Sequence, residues 1–168
     1  MVYVSEQPLF DFSRKEDCAG WSPVDDVVMG GCSHSTVSFD PGALVFCGEL
    51  SLDNGGGFAS IRSPLREFNL SSATALVLRV TGDGKTYKVG LRLSEKFDAP
   101  VYQASFIAPA EETKDVYIPY NELEPRYHGR SLDVAPPFEP QRVRSVGLLI
   151  ADRQSGPFSL RVESIIAR

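Results

Sequence analysis

Short apolar stretches with polar residues interleaved, each closed within a few residues by glycine, proline, asparagine or aspartate, recur along the chain and constrain its fold more than any other feature. Eight stand out, at residues 43–47, 58–62, 75–81, 88–94, 101–107, 116–118, 146–151 and 158–166. Side chains along a strand alternate between its two faces, so such runs send one set of residues into a core and the other set outward. Eight strands at this spacing predict an all-β chain, a β-sandwich. No window keeps apolar residues at i, i+3, i+4 and i+7 for two turns, and the one helical candidate is a single turn at Asn121-Glu122-Leu123.

The chain has 168 residues and a mass of 18.4 kDa. A globule of that size hides roughly two-thirds of the surface of its unfolded chain, enough for a core without staples. Its 14 glycines and 12 prolines are scattered rather than gathered into a linker, and nothing repeats, so residues 1–168 read as one domain. A hydrophobic fraction of 42% and a mean hydropathy of -0.12 exclude disorder as the default. The longest apolar runs, 75–78 and 146–151, fall far short of the roughly 20 residues a spanning helix needs. A net charge of -5 argues against binding to nucleic acid or an anionic membrane surface. The first eight residues lack the pattern of a signal or transit peptide. Three cysteines, Cys18, Cys32 and Cys47, form no CxxC, and a Cys18–Cys32 bridge is the one alternative to a reducing cytoplasm.

Counting faces puts Leu76, Leu78, Val80, Val89, Leu91 and Leu93 in the core. Arg79, Lys88 and Arg92 then point the other way, with Arg62 and Arg161 on flanking strands and Gln103 beside them. An acidic protein with a row of arginines on one sheet face invites two readings. One is a solvated face with cross-strand ion pairs, which contribute little. The other is a partner-binding face, for which the planar guanidinium is well suited.

The stretch from Trp21 to Ser33 carries two acids, a methionine and two glycines with neither helical nor strand periodicity, the mark of an ordered loop. Asp25 and Asp26 can accept backbone N–H bonds, cap a turn or hold a hard cation, but two adjacent acids are a thin ligand set. The reading is that Trp21 plugs the sandwich and the aspartates tie the loop down, with no metal. Neither Asn54-Gly55-Gly56-Gly57-Phe58 nor Gly82-Asp83-Gly84-Lys85 has the strand-to-helix context of a phosphate loop, so no nucleotide cofactor is expected. The second reads as a hairpin turn into the strand near Tyr87, and both are candidates for a binding rim. His34 and His128 accompany no catalytic motif, and the adjacent Ser33-His34-Ser35 is not a triad.

These motifs, in order, resemble the complex I intermediate-associated protein 30 family. The resemblance is carried by Trp21 with Asp25-Asp26-Val27-Val28-Met29-Gly30-Gly31-Cys32-Ser33, by Phe46-Cys47-Gly48-Glu49-Leu50, by residues 54–60, and by Gly82-Asp83-Gly84-Lys85-Thr86-Tyr87. It continues through Tyr102-Gln103-Ala104-Ser105-Phe106, Gly129-Arg130, residues 145–150 and Gly156-Pro157-Phe158. It implies a jelly roll of the galactose-binding-like type and a non-catalytic assembly factor, chaperone-like, binding protein subunits of a membrane electron-transfer complex of respiration or photosynthesis. It singles out the loop residues Trp21, Asp25, Asp26, Met29, Gly30, Gly31, Ser33, Asn54, Gly56, Gly57, Phe58, Gly82, Asp83, Gly84, Tyr87 and Arg130. The start of the chain departs from the mitochondrial pattern, which favours a stand-alone bacterial or cyanobacterial member. The alternative is a carbohydrate-binding module, whose aromatic platform would draw on Trp21, Tyr87, Tyr102 and Tyr127 with Gln103.

Overall fold

The computed structural model describes residues 6–26, 30–96, 99–127, 130–132 and 136–168. Their elements run β1 (Gln7–Asp11), α1 (Lys15–Cys18), β2 (Ser22–Pro23), β3 (His34–Asp40), β4 (Ala43–Leu50), β5 (Ala59–Arg62), β6 (Ala75–Thr81), β7 (Thr86–Arg92), β8 (Val101–Ile107), β9 (Thr113–Pro119), β10 (Glu124–Tyr127), β11 (Arg130–Ser131), β12 (Ser145–Ile150) and β13 (Gly156–Ala167). Among the described residues, helix appears as α1 and as single 3-10 turns, those at Asp53–Gly55, Tyr120–Glu122 and Pro140–Arg142 among them. Among the described residues no helix is long and apolar enough to cross a membrane.

The strands form two sheets of antiparallel neighbours. One has the order β3-β4-β13-β6-β9, with β1 also on β13; the other runs β11-β10-β8-β7-β12-β5-β2. β13 holds the first sheet together because it is long enough to serve three neighbours. Gly156 to Val162 lie against β4, Arg161 to Ala167 lie against β6, and β1 takes the remaining edge from Ser164 to Ala167. Facing residues of the two sheets interlock in one core: Leu44, Phe46, Leu76, Leu78, Val80, Leu160 and Val162 from the first, Ile61, Val89, Leu91, Phe106, Val146 and Leu148 from the second. Phe10, Phe12 and Trp21 close its side, the two phenylalanine rings 5.0 Å and 5.7 Å from the indole.

All eight expected strands are present, as is the turn beside Asn121. β1 and β3 carry too few apolar residues for the pattern to show: β3 reads His34-Ser35-Thr36-Val37-Ser38-Phe39-Asp40, an edge strand with its outer positions in water. Leu93 lies just beyond β7 and packs at the margin of the core rather than inside it. The Gly82 to Lys85 turn is not a hairpin. β6 belongs to the first sheet and β7 to the second, so the turn carries the chain across the sandwich. Gly82 makes this crossing possible, because its bare Cα sits against Ala108, where a Cβ would come within 2.2 Å of the alanine methyl.

If β13 is the shared rung of its sheet, a cavity there costs the whole sandwich. Leu160→Ala, at a fully buried position, is expected to lower unfolding free energy by about 2–5 kcal/mol. A urea titration followed by circular dichroism checks the value.

Candidate functional site

The loop that the sequence singled out is a clamp between the sheets. Asp26 is only 1% exposed. Its Oδ1 accepts the Ser33 N–H at 2.8 Å, at the entrance to β3, while its Oδ2 accepts the N–H groups of Gly57 and Phe58 at 2.7 and 3.2 Å, at the entrance to β5. Asp25 makes the next rung. Its Oδ2 accepts Ser35 N at 2.8 Å, and its Oδ1 accepts the Ser35 hydroxyl at 2.7 Å and Ser60 N at 3.1 Å. One carboxylate pair thus stitches β3 of the first sheet to β5 of the second. The glycines follow from the same geometry. A Cβ at Gly31 would lie 2.4 Å from Asp26 Cγ, and one at Gly56 would lie 2.6 Å from Asp26 Oδ2, so both must be bare for the carboxylate to enter. Burial disfavours the Asp26 charge, yet the hydrogen bonds from Ser33, Gly57 and Phe58 outweigh it and hold the carboxyl below its ordinary value.

Asp83 repeats the device at the crossing between the sheets. Its carboxylate accepts Ser159 N and the Tyr87 hydroxyl, both at 2.9 Å, and Lys85 N at 3.1 Å. Desolvation is again outweighed by these bonds, and the carboxyl is lowered. Tyr87 is fully buried, so it anchors the core instead of lining a rim; burial first, then the Asp83 charge, pushes its phenol far above the usual range. Strand register brings the ends of β4, β6, β8 and β12 and the starts of β5, β7 and β13 to one end of the sandwich: Leu50 faces Gly156, Ala59 faces Ile150, Thr86 faces Ile107 and Thr81 faces Arg161. Residues 24–26, 30–33, 51–58 and 82–85 therefore share that end. Asn54, at φ 57°, lies on it in contact with Cys32 at 3.5 Å. Arg130 is far from it, in the short edge strand β11, and Met29 and His128 lie outside the described residues.

The expected row of arginines does not share one face. Arg79 and Arg161 stand on the outer face of the first sheet, and Arg62, Lys88, Arg92 and Gln103 stand on the outer face of the second. Counting alternation within a strand assigns a side, but it cannot say which sheet a strand joins. The two faces also differ in charge balance. Arg79 pairs with Asp115 at 3.2 Å and Glu163 at 2.9 Å, and Arg161 pairs with Asp40. On the second sheet Lys88 reaches Asp152 at 3.3 Å and Arg126 reaches Glu124 at 3.0 Å. Arg92 makes no ion pair among the described residues, and its Nε, like those of Arg62 and Arg144, is buried without an acceptor. Burial, then the charge of Arg62, brings its pKa down to about 10. The two arginines converge over Gly147, where a Cβ would lie 3.5 Å from Arg92 Nη1 and 4.0 Å from Arg62 Cγ. Gln103, 8% exposed, floors a neighbouring 220 Å³ hollow with Lys88, Glu122, Glu124 and Arg126. Alternation could have flagged Gly147 as the small residue between two cations, had the order β7-β12-β5 been known.

A clamp made of a lowered carboxyl fails in acid. Its stabilisation is complete above the ordinary carboxylate value and goes as pH falls through the lower value of the folded state, so stability should drop from about pH 4 downward. Asp26→Asn keeps the shape but turns an amide N–H₂ toward an N–H donor. It should cost roughly 1–3 kcal/mol at pH 7 and flatten that acid limb. Gly31→Ala should be comparably damaging although it removes no hydrogen bond. Urea melts from pH 3 to 7 test all three.

Comparison with known proteins fits this fold. Among curated proteins, the chain is 25% identical to the mouse mitochondrial complex I intermediate-associated protein 30 over 94% of its length and 54% of the relative's. It is 28% identical to the probable counterpart from Caenorhabditis briggsae, over 93% of this chain and 52% of that one. The chain thus spans about half the length of the curated relatives it matches. Among solved structures, a family 11 carbohydrate-binding module from Clostridium thermocellum, in complex with a mixed-linked tetrasaccharide, superposes with a TM-score of 0.73 at 16% identity, covering 99% of this chain and 96% of the module. An agarase superposes with a TM-score of 0.65 at 10% identity, covering 96% of this chain and 24% of the enzyme. At identities this low the likeness shows the fold alone, a jelly-roll β-sandwich. The family model for complex I intermediate-associated protein 30 (CIA30) matches residues 10–162, and the chain belongs to that family.

Proposed function

We propose that this protein is a non-catalytic assembly factor that binds subunits of a membrane electron-transfer complex, respiratory complex I or a photosynthetic one, and holds them in an intermediate. Family membership over residues 10–162 is the observation that carries this reading, since the relatives are named for their association with complex I intermediates. The site supports it. The acids that could have served chemistry, Asp25, Asp26 and Asp83, are occupied with backbone N–H groups and are structural. What they stabilise is a rigid platform with charged outer faces, suited to a polar and reversible interface. The free thiols of Cys18, Cys32 and Cys47 fit a reducing compartment, and the cytoplasm is the proposed one.

The carbohydrate reading draws on the fold of the neighbouring modules, but its platform is not assembled. Trp21, Tyr87 and Tyr102 are buried in or against the core, which leaves Tyr127, 38% exposed at the sheet edge, and Gln103. Sugar rings stack on exposed aromatic faces, so this supports capture of protein over capture of glycan.

Affinity capture from detergent-solubilised membranes tests the proposal, with Arg79→Glu and Arg92→Glu as separate variants because they report on different sheets. Wild type should retain subunits of one electron-transfer complex. Arg92→Glu should lose them while Arg79→Glu, whose charge is already neutralised locally, keeps most. Wild-type protein that retains no such subunit rejects the reading.

A further inference from the structure

The cations of this protein are distributed unevenly with respect to their partners. Arg79, Arg142, Arg144, Arg161 and Arg168 each contact a carboxylate. Arg92 contacts none among the described residues, although it is drawn into the sheet surface beside Arg62. A guanidinium stripped of part of its water and placed against a like charge is destabilising to the fold. An arriving anion relieves it. We propose that Arg92, with Arg62 beside it over Gly147, is a carboxylate site on the outer face of the seven-stranded sheet that takes acidic side chains of an extended segment of a partner protein. This rests on the assembly-factor reading and names the chemistry of its partner.

Three features select a peptide carboxylate. The guanidinium end over Gly147 is planar, and a carboxylate matches it with two parallel hydrogen bonds. The strands beneath, β7, β12 and β5, are consecutive in the sheet, so their amides serve ladder pairing and leave no cradle of free N–H groups of the kind that grips a tetrahedral phosphate. Beyond the pair, Leu149 and Lys88 face each other on the same side of the sheet, so the surface continues along an elongated ligand.

Hexaglutamate carrying a fluorophore is the probe, titrated at low ionic strength and followed by anisotropy. Wild type should bind it and release it on adding salt. Arg92→Gln should weaken binding by about tenfold or more. Arg79→Gln, on the other sheet, should leave it unchanged. The melting temperature separates a binding from a structural role: removing a desolvated like charge should leave Arg92→Gln as stable as wild type or more so. Arg62→Gln supplies a second variant in which the neighbour is removed and Arg92 remains. Equal affinity of wild type and Arg92→Gln, or no binding by folded wild type, overturns the site. Saturable binding of inorganic phosphate that displaces the peptide assigns the pair to a free oxyanion and overturns the protein partner. Should hexaglutamate fail while captured subunits survive in the membrane extract, the site is wrong and the assembly reading stands.

Discussion

The sandwich depends on one buried carboxylate. Two sheets can slide or part at their ends unless something other than apolar contact ties them, because the hydrophobic effect has no direction. Asp26 supplies direction by accepting N–H groups from the approaches to β3 and β5, which belong to opposite sheets. A charge that deep is costly when unpaired. Here each oxygen meets backbone donors, which the chain can present only where glycine leaves space, at Gly31 and Gly56. Asp83 solves the same problem at the crossing from β6 to β7, where it holds Ser159 of β13. Acid-glycine motifs that look like ligand sites in the primary structure are joinery in the fold.

That joinery bears on the proposed function by fixing the loops at one end and leaving the sheet faces as the surfaces offered for recognition. The two faces are unlike. On the six-stranded sheet the strand arginines Arg79 and Arg161 each have a carboxylate partner. On the seven-stranded sheet Arg92 is held beside Arg62 with its charge uncompensated by any described acid. Families that share this jelly roll use it as a rigid support, and the bound ligand follows from the side chains mounted on the face rather than from the fold.

Much of this was legible in the residues. Strands β6 and β8 begin and end where alternation predicts, since Ala75 to Thr81 and Val101 to Ile107 lie in the middle of sheets with one face in the core. The polar edge strand β3 was missed because its only apolar residues, Val37 and Phe39, make an alternation too short to stand out from a loop. Asp25 and Asp26 were readable as ties for a loop, and their partners were not, since Ser33, Ser35, Gly57 and Ser60 come together only in three dimensions. The arginine row shows the limit most clearly. Parity along a strand gave each arginine an outward direction, yet Arg79 and Arg92 face opposite sides of the molecule because sheet membership is set by pairings distant in sequence.

The central claim is that a client protein covers the face of the seven-stranded sheet that carries Arg92. Arginine-selective labelling with phenylglyoxal, read by mass spectrometry for the protein alone and for its purified client complex, tests this most directly. Protection of Arg92 and Arg62 in the complex, with Arg79 and Arg161 reacting as before, is the predicted result. Protection of Arg79 and Arg161 with Arg92 unchanged would contradict it.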